Sequence, residues 1–420
     1  MRAAPLIDGR MASPAQSITE QRDLRTGTPV WAAYRQLPLA VERLRAPVKV
    51  DLVIVGAGIT GALLAEATTA RGLSTVLIDH RPPGRGSTAA STALLQFEID
   101  TPLVRLADAI GFTKAARIWQ RSFRAVRDLA HIVRTLQIPC DFAERRALYL
   151  SGNTLGAAEL EAEGHLRRRA GLPSVFLTRA DLAGMMRMNR DAALLSEGAA
   201  EANPMQLTAG LLNRALFRGG KLFAPVTLAQ MVAASSKVTM VTADGIEMEA
   251  KALVFATGYE LADGVPAAGH RRTSTWAFAT GPQPHAIWNN GELIWEASEP
   301  YLYVRSTADG RVMVGGEDED VTDEAKRDAL LPAKVAVLQE KTKALLPWLD
   351  ATADFAWAGT FGESENGLPS IGLVPDMPNC YAVLGYGGNG ITFGVIAAQI
   401  IAERLRGHAD PDEPLFAFDR

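Results

Sequence analysis

The first strong pattern along the chain is a run of β-formers at 50–55, Val50-Asp51-Leu52-Val53-Ile54-Val55. It breaks at Gly56-Ala57-Gly58-Ile59-Thr60-Gly61, resumes as a helix-forming run over 62–71 and stops at Gly72. A second apolar run, 75–78, ends on Asp79. The pattern predicts a strand, a glycine turn, a helix, a second strand and an acid at its tip.

Farther along, Trp119, Phe123, Val126, Leu129 or Ala130, Val133 and Leu136 recur at three- and four-residue spacing, which predicts an amphipathic helix over 114–136. Arg117, Arg121, Arg124, Arg127 and Arg134 fall mostly off that stripe and are expected on a solvated face. Helices are expected at 159–170, 181–188 and 204–217, and strands at 147–150, 222–226 and 237–241. Asp244-Gly245 is a hairpin turn, and an apolar strand over 252–256 leads into Thr257-Gly258. From Arg272 the pattern turns to short alternating strands at 273–279, 293–296, 301–305 and 312–315, as in an antiparallel sheet. The acidic run 317–320 is expected to be a solvated loop, and 325–346 a helix pair broken at Pro332. A strand at 381–384, then Gly385-Tyr386-Gly387-Gly388-Asn389-Gly390-Ile391-Thr392 and a helix to Arg406, repeats the strand–glycine loop–helix motif. Ahead of the first strand, Pro29 to Tyr34 holds the aromatic residues of the N-terminal extension and is expected to pack on the domain surface.

The first glycine loop has a physical logic. Gly56 allows a tight turn out of the strand, Gly58 lets a pyrophosphate approach the backbone, and Gly61 lets the helix pack close to the sheet. Free N–H groups at the helix N-terminus favour an anion. Asp79, 21 positions after Gly58, has the spacing of an acid that binds ribose hydroxyls. An acid there disfavours a 2′-phosphate, so FAD or NAD fits better than NADP. The loop from His80 to Thr92 is rich in Pro, Gly and hydroxyl residues, with Gly86, Ser87 and Thr88 as donors to a cofactor.

Composition narrows the picture. A chain of 420 residues exceeds one ordinary core and suggests two domains. Its net charge of −4 argues against a nucleic-acid binder. Two cysteines, Cys140 and Cys380, form neither a disulfide framework nor a metal cluster, and a reducing cytoplasm is the expected home. The first twenty residues are interrupted by prolines and charges and are not expected to be a signal peptide. The apolar run 391–402 is about half the length of a spanning helix, so no transmembrane segment is expected.

Four motifs together resemble the D-amino-acid-oxidase-like family of FAD-dependent amine oxidoreductases: Gly56–Gly61 with Asp79; Gly86-Ser87-Thr88; Ala256-Thr257-Gly258; and Asn366-Gly367-Leu368-Pro369-Ser370-Ile371-Gly372 with 385–392. The resemblance covers roughly residues 50–406, and the C-terminal pair is its specific part. It implies an α/β architecture, with a Rossmann-like FAD domain assembled from 50–139, 196–265 and 353–420. An antiparallel substrate domain would take 140–195 and 266–352, behind an N-terminal extension of 1–49. Cofactor contacts are implied for Gly56, Ala57, Gly58, Ile59, Thr60, Gly61, Asp79, His80, Gly86, Ser87, Thr88, Ser91 and Val226, and for Ala256, Thr257, Gly258 and Gly362. In the final loop they are implied for Gly387, Gly388, Asn389, Gly390, Ile391 and Thr392, whose N–H groups would face the flavin N1/C2=O edge and stabilise the charge of reduction.

The same resemblance implies oxidation of the C–N bond of an amine or amino acid, with O₂ or another carrier as acceptor. Where sarcosine oxidases carry a carboxylate-holding lysine, this chain has Thr392, and no basic residue stands in Leu94-Leu95-Gln96-Phe97. No cysteine matches the position of a covalent flavin link, so FAD is expected to be non-covalent. Tyr301, Tyr303 and Arg305 alternate on one strand and share a face, so a tyrosine-lined pocket with Arg305 binding a carboxylate is the candidate substrate anchor. The alternatives are an NAD-dependent dehydrogenase and a flavin-binding electron-relay subunit.

Overall fold

The computed structural model describes residues 17–420. One sheet of eight strands is built around Val48–Val55. Thr75–Ile78 and Glu247–Phe255 flank it in parallel, and Lys221–Phe223 and Cys380–Leu384 extend the two sides, again in parallel. Ser370–Leu373 closes one edge antiparallel, while Leu228–Ala233 and Val238–Thr242 form an antiparallel ribbon on Glu247–Phe255.

Period-two alternation sorts the apolar residues of these strands onto two faces. Leu52, Ile54, Leu77, Leu222, Val254 and Val383 share a core with the helices Ile59–Thr69, Phe112–Leu136, Pro204–Phe217 and Gly390–Leu405. Val53, Val55, Val76, Leu253 and Phe255 share the opposite core with the ribbon. The helix Ile59–Thr69 is buried along its whole length, which suits its run of alanine, leucine and threonine.

The second sheet has ten strands. Its order is Arg25–Gly27, Ala353–Ser364, His270–Thr280, Val312–Glu319, Leu302–Ser306, Leu293–Glu296, Ala143–Leu150, Ala192–Glu201 and Leu94–Leu95, with Ser174–Thr178 also paired to Ala192–Glu201. Among the described residues only Leu293–Glu296 and Ala143–Leu150 pair in parallel in this sheet. The helix Glu324–Leu345 covers one face through Val335, Leu338 and Leu345, against Trp276, Phe278 and Val314.

The α/β architecture matches the expectation, and the second sheet is antiparallel as expected except at that one parallel pair, but the segment boundaries need correction. The 195/196 boundary cuts the strand Ala192–Glu201, and 353–364 belongs to the ten-stranded sheet rather than to the eight-stranded one. Within the N-terminal extension, Arg25–Gly27 supplies an edge strand of the large sheet, and Val30 and Trp31 are buried against Trp357. Pro332 does not break its helix, because packing on both sides of it outweighs the loss of one backbone donor. Arg117, Arg121 and Arg124 are not simply solvated: they clamp Asp410 and the buried Asp412.

The acidic run is also corrected. The strand Val312–Glu319 carries an irregularity in its pairing with His270–Thr280, and Gly316 and Glu317 both have positive φ, 130° and 59°. This bulge turns Glu317 inward onto Lys334 and Lys341 and aims Asp318 at the Thr275 and Tyr301 side chains.

Candidate active site

Backbone packing shapes the first glycine turn. Gly56 has φ 110°, and a Cβ there would lie 2.3 Å from the Ala256 carbonyl oxygen. A Cβ on Gly61 would lie 1.9 Å from the Gly56 carbonyl oxygen, so neither position tolerates a side chain. At Gly58 a Cβ would meet only Thr88 Oγ1, at 3.0 Å, which leaves the space before the helix N-terminus open. Thr88 Oγ1 accepts from the Ile59 N–H (3.0 Å). Asp79 accepts from the N–H groups of Ala57 (2.8 Å) and Arg81 (2.7 Å). Burial pushes the Asp79 carboxyl above its usual range, against the pull of those two bonds.

A single cleft of about 1810 Å³, mouth included, takes in both glycine loops. Gly56, Gly58, Ile59 and Thr60 line it, with Asp79, His80, Gly86, Ser87, Thr88, Ser91 and Val226. So do Ala256, Thr257 and Gly258, and from the far end of the chain Gly387, Gly388, Asn389, Gly390, Ile391 and Thr392. Three expected contacts lie off the lining. Ala57 spends its N–H on Asp79, Gly61 packs on Gly56, and Gly362 packs against the Tyr259 ring. An elongated cleft with a side-chain-free approach at Gly58, an acid at one strand tip and a helix N-terminus at the C-terminal loop fits FAD.

Tyr301 and Tyr303 both line the cleft, as their shared face requires. Gly315, opposite Tyr303, makes room for that ring: a Cβ there would sit 2.1 Å from Tyr303 Oη. Arg305 corrects the expectation. It is 2% exposed and does not line the cleft. Its guanidinium pairs with Glu201 at 3.3 Å, donates to the carbonyls of Thr92 (2.7 Å) and Ala202 (3.0 Å), and is capped by the Trp31 ring at 5.5 Å. The N-terminal segment thus closes that end of the shared face, and the Arg305 guanidinium is taken up by buried protein groups.

Sequence reasoning missed the opposite wall. Leu94, Gln96, Glu98 and Asp100 line the cleft, whereas Leu95, Phe97 and Ile99 are buried in the helical core. The signal was present in Leu-Leu-Gln-Phe-Glu-Ile-Asp: polar residues alternating with apolar ones at period two. This segment is tied to the C-terminal loop. Thr392 Oγ1 donates to the Gln96 carbonyl (2.8 Å), Asn389 Nδ2 to the Glu98 carbonyl, and the Gly388 N–H to Asp100 Oδ2 (2.9 Å). One of the loop donors expected to face a flavin is therefore held by a carboxylate. Asp100 is an exposed residue that opens onto the cleft, and the loss of water around its carboxyl within the cleft pushes it up to about 6. Trp295, stacked on Tyr149 at 3.7 Å, Tyr259 and Tyr386 complete the aromatic lining.

Burial raises the Asp318 carboxyl to about 7 from an ordinary 3.8. In the folded protein it keeps its proton at pH values where the unfolded chain has lost it. Its contribution to stability is therefore full below the unfolded pKa and is lost as pH rises through the folded one. Urea midpoints of the apoprotein should fall between about pH 4 and 7 more steeply in the native chain than in Asp318→Asn. Equal slopes would show that Asp318 is ionised throughout.

Comparison with known proteins gives a consistent picture. The DAO family, described as FAD dependent oxidoreductase, matches residues 51–404. The chain is 23% identical to the γ-glutamylputrescine oxidoreductase of Escherichia coli (strain K12), over 88% of this chain and 86% of that protein. It is 22% identical to the glycine oxidase of Bacillus licheniformis, over 88% and 96%. The crystal structure of glycine oxidase from Geobacillus kaustophilus superposes with a TM-score of 0.71 at 19% identity, covering 89% of this chain and 99% of that one. Among the described residues no helix is long and apolar enough to cross a membrane.

Proposed function

The chain belongs to the DAO family of FAD-dependent oxidoreductases, and on that premise we propose that it oxidises the C–N bond of a small amine or amino acid. Bound FAD supplies a two-electron acceptor at N5, and the product is an imine that hydrolyses. The observation that carries this reading is the single cleft, which joins the Gly56–Gly61 turn to the Gly387–Thr392 loop and continues to Tyr301, Tyr303 and Trp295.

In this reading Asp79 holds the ribose, while Gly58, Ile59, Thr60, Ser87 and Thr88 hold the pyrophosphate. The loop Gly387–Thr392 holds the isoalloxazine without a covalent link, since Cys140 and Cys380 are both buried in packed cores. The aromatic wall excludes water and orients the substrate C–H bond. The eight-stranded sheet with its helices is the cofactor part and the ten-stranded sheet the substrate part. Two buried, unpaired cysteines fit a reducing cytoplasm.

The test is an anaerobic titration of the purified holoprotein with amines and amino acids. Bleaching of the flavin by at least one compound is expected, and readmitted air then separates an oxidase from a dehydrogenase. A flavin reducible only by a partner protein would replace this reading with electron relay.

A further inference from the structure

We infer that the substrate end of the cleft is built for a cation, so that the amine oxidised carries a second, non-reacting ammonium group and no carboxylate. This rests on the amine-oxidation reading and deepens it.

The alternation of 94–100 puts Glu98 and Asp100 on the cleft wall. The Glu98 side chain is fully buried, and neither of its carboxylate oxygens has a hydrogen-bond partner. The nearest positive charge is Arg167 Nη1, 3.6 Å away. That guanidinium is shared: its Nε donates to Glu163 at 2.8 Å and its Nη1 to Ser196 Oγ at 3.4 Å, its Nη2 has no hydrogen-bond partner, and the Trp119 ring lies 4.8 Å from its carbon. Glu163 in turn accepts from the N–H groups of Leu103 and Val104 and has no freedom to move away. One guanidinium thus stands between two buried carboxyl groups, burial raises the Glu98 carboxyl above its usual range, and the Glu98 oxygens are the part of the group left without a hydrogen bond. Asp100 adds a second acid two residues along the same wall, its only hydrogen bond being from Gly388.

Among the described residues that line the cleft, no basic side chain stands beside these acids. The basic residues of the lining are His80 and Arg81, both beside Asp79, and Arg81 is held bidentately by Glu260. Arg305 is closed off behind Trp31. A substrate carboxylate would meet acids and tyrosines with no partner of its own. An ammonium would complete the Glu98–Arg167–Glu163 group and find the faces of Trp295, Tyr301 and Tyr303 nearby.

Three probes of one carbon skeleton separate the possibilities in the anaerobic holoenzyme: 1,4-diaminobutane, 1-aminobutane and 4-aminobutanoate. Binding is read from perturbation of the flavin spectrum, and turnover from bleaching. The diamine is expected to bind about tenfold more tightly than 1-aminobutane, with 4-aminobutanoate weakest. Glu98→Gln should shrink the diamine advantage to about threefold or less. Asp100→Asn should shrink it in the same direction, and this variant keeps the question open to experiment if Glu98→Gln does not fold. Equal or tighter binding of 4-aminobutanoate, or no perturbation by the diamine, would overturn the inference. Expected ranking without bleaching by any probe would sustain the cation site and remove amine oxidation. Bleaching by 4-aminobutanoate with the ranking reversed would do the opposite.

Discussion

Replacing Gly61 by alanine is expected to yield protein that does not retain flavin. The new Cβ would stand 1.9 Å from the Gly56 carbonyl oxygen and 3.0 Å from its carbonyl carbon. Both are backbone atoms, so no rotamer change relieves the clash. Either the helix Ile59–Thr69 moves away from the turn or the turn opens. That helix is buried on every side, and the turn holds the Ala57–Asp79 hydrogen bond. Overpacking of this kind costs about 1–3 kcal/mol or more, and here it falls on the groups that shape the cofactor approach. The check is the flavin-to-protein absorbance ratio after dialysis, with and without added FAD. Gly184→Ala is the control: it lies in the helix Arg179–Met186, a Cβ there meets nothing within 4 Å, and it should keep its flavin. A Gly61→Ala protein with full flavin content would show that the turn is pliable and that the packing argument fails.

The second large effect is expected at Arg305. In Arg305→Met the Glu201 carboxylate stays buried, and the Thr92 and Ala202 carbonyls lose their donor. Breaking one side of a buried ion pair costs about 3–5 kcal/mol. Glu201 keeps Arg145 on its other oxygen at 2.8 Å, so the lower end, about 3 kcal/mol, is expected from urea unfolding. A carboxylate-binding arginine in the cleft would behave differently. Its loss would weaken substrate binding and leave stability nearly unchanged, and that outcome would restore the role first read from the alternation of Tyr301, Tyr303 and Arg305.

What was legible in the sequence was whatever a short stretch of backbone demands for itself. The turn at Gly56–Gly61 needs glycine because backbone meets backbone there, and that need is written at fixed spacing. The final loop and helix were readable for the same reason. What was not legible depends on distant partners. Arg305 shares a face with two cleft residues, but a tryptophan some 270 positions earlier covers it. Asp318 reads as part of a charged loop until the bulge at Gly316 and Glu317 turns it inward. The strand Ala353–Ser364 lies in sequence beside the C-terminal cofactor elements, but pairs with His270–Thr280 in the other sheet. The wall at 94–100 is the exception: its period-two pattern was local and complete, but short strands among glycine-rich loops draw the eye less than the loops do.

The ties between 96–100 and 388–392 span 288, 291 and 296 positions of chain. They set an order of events during synthesis. The first glycine turn leaves the ribosome long before the loop that closes the cleft around the same cofactor exists. At about 5–20 residues per second the wait is roughly 15–60 s. Throughout it the helix Ile59–Thr69 lacks its packing partner Gly390–Leu405 and presents an apolar flank to the cell. A complete flavin cleft therefore exists only once the final loop has been made, which puts cofactor loading late.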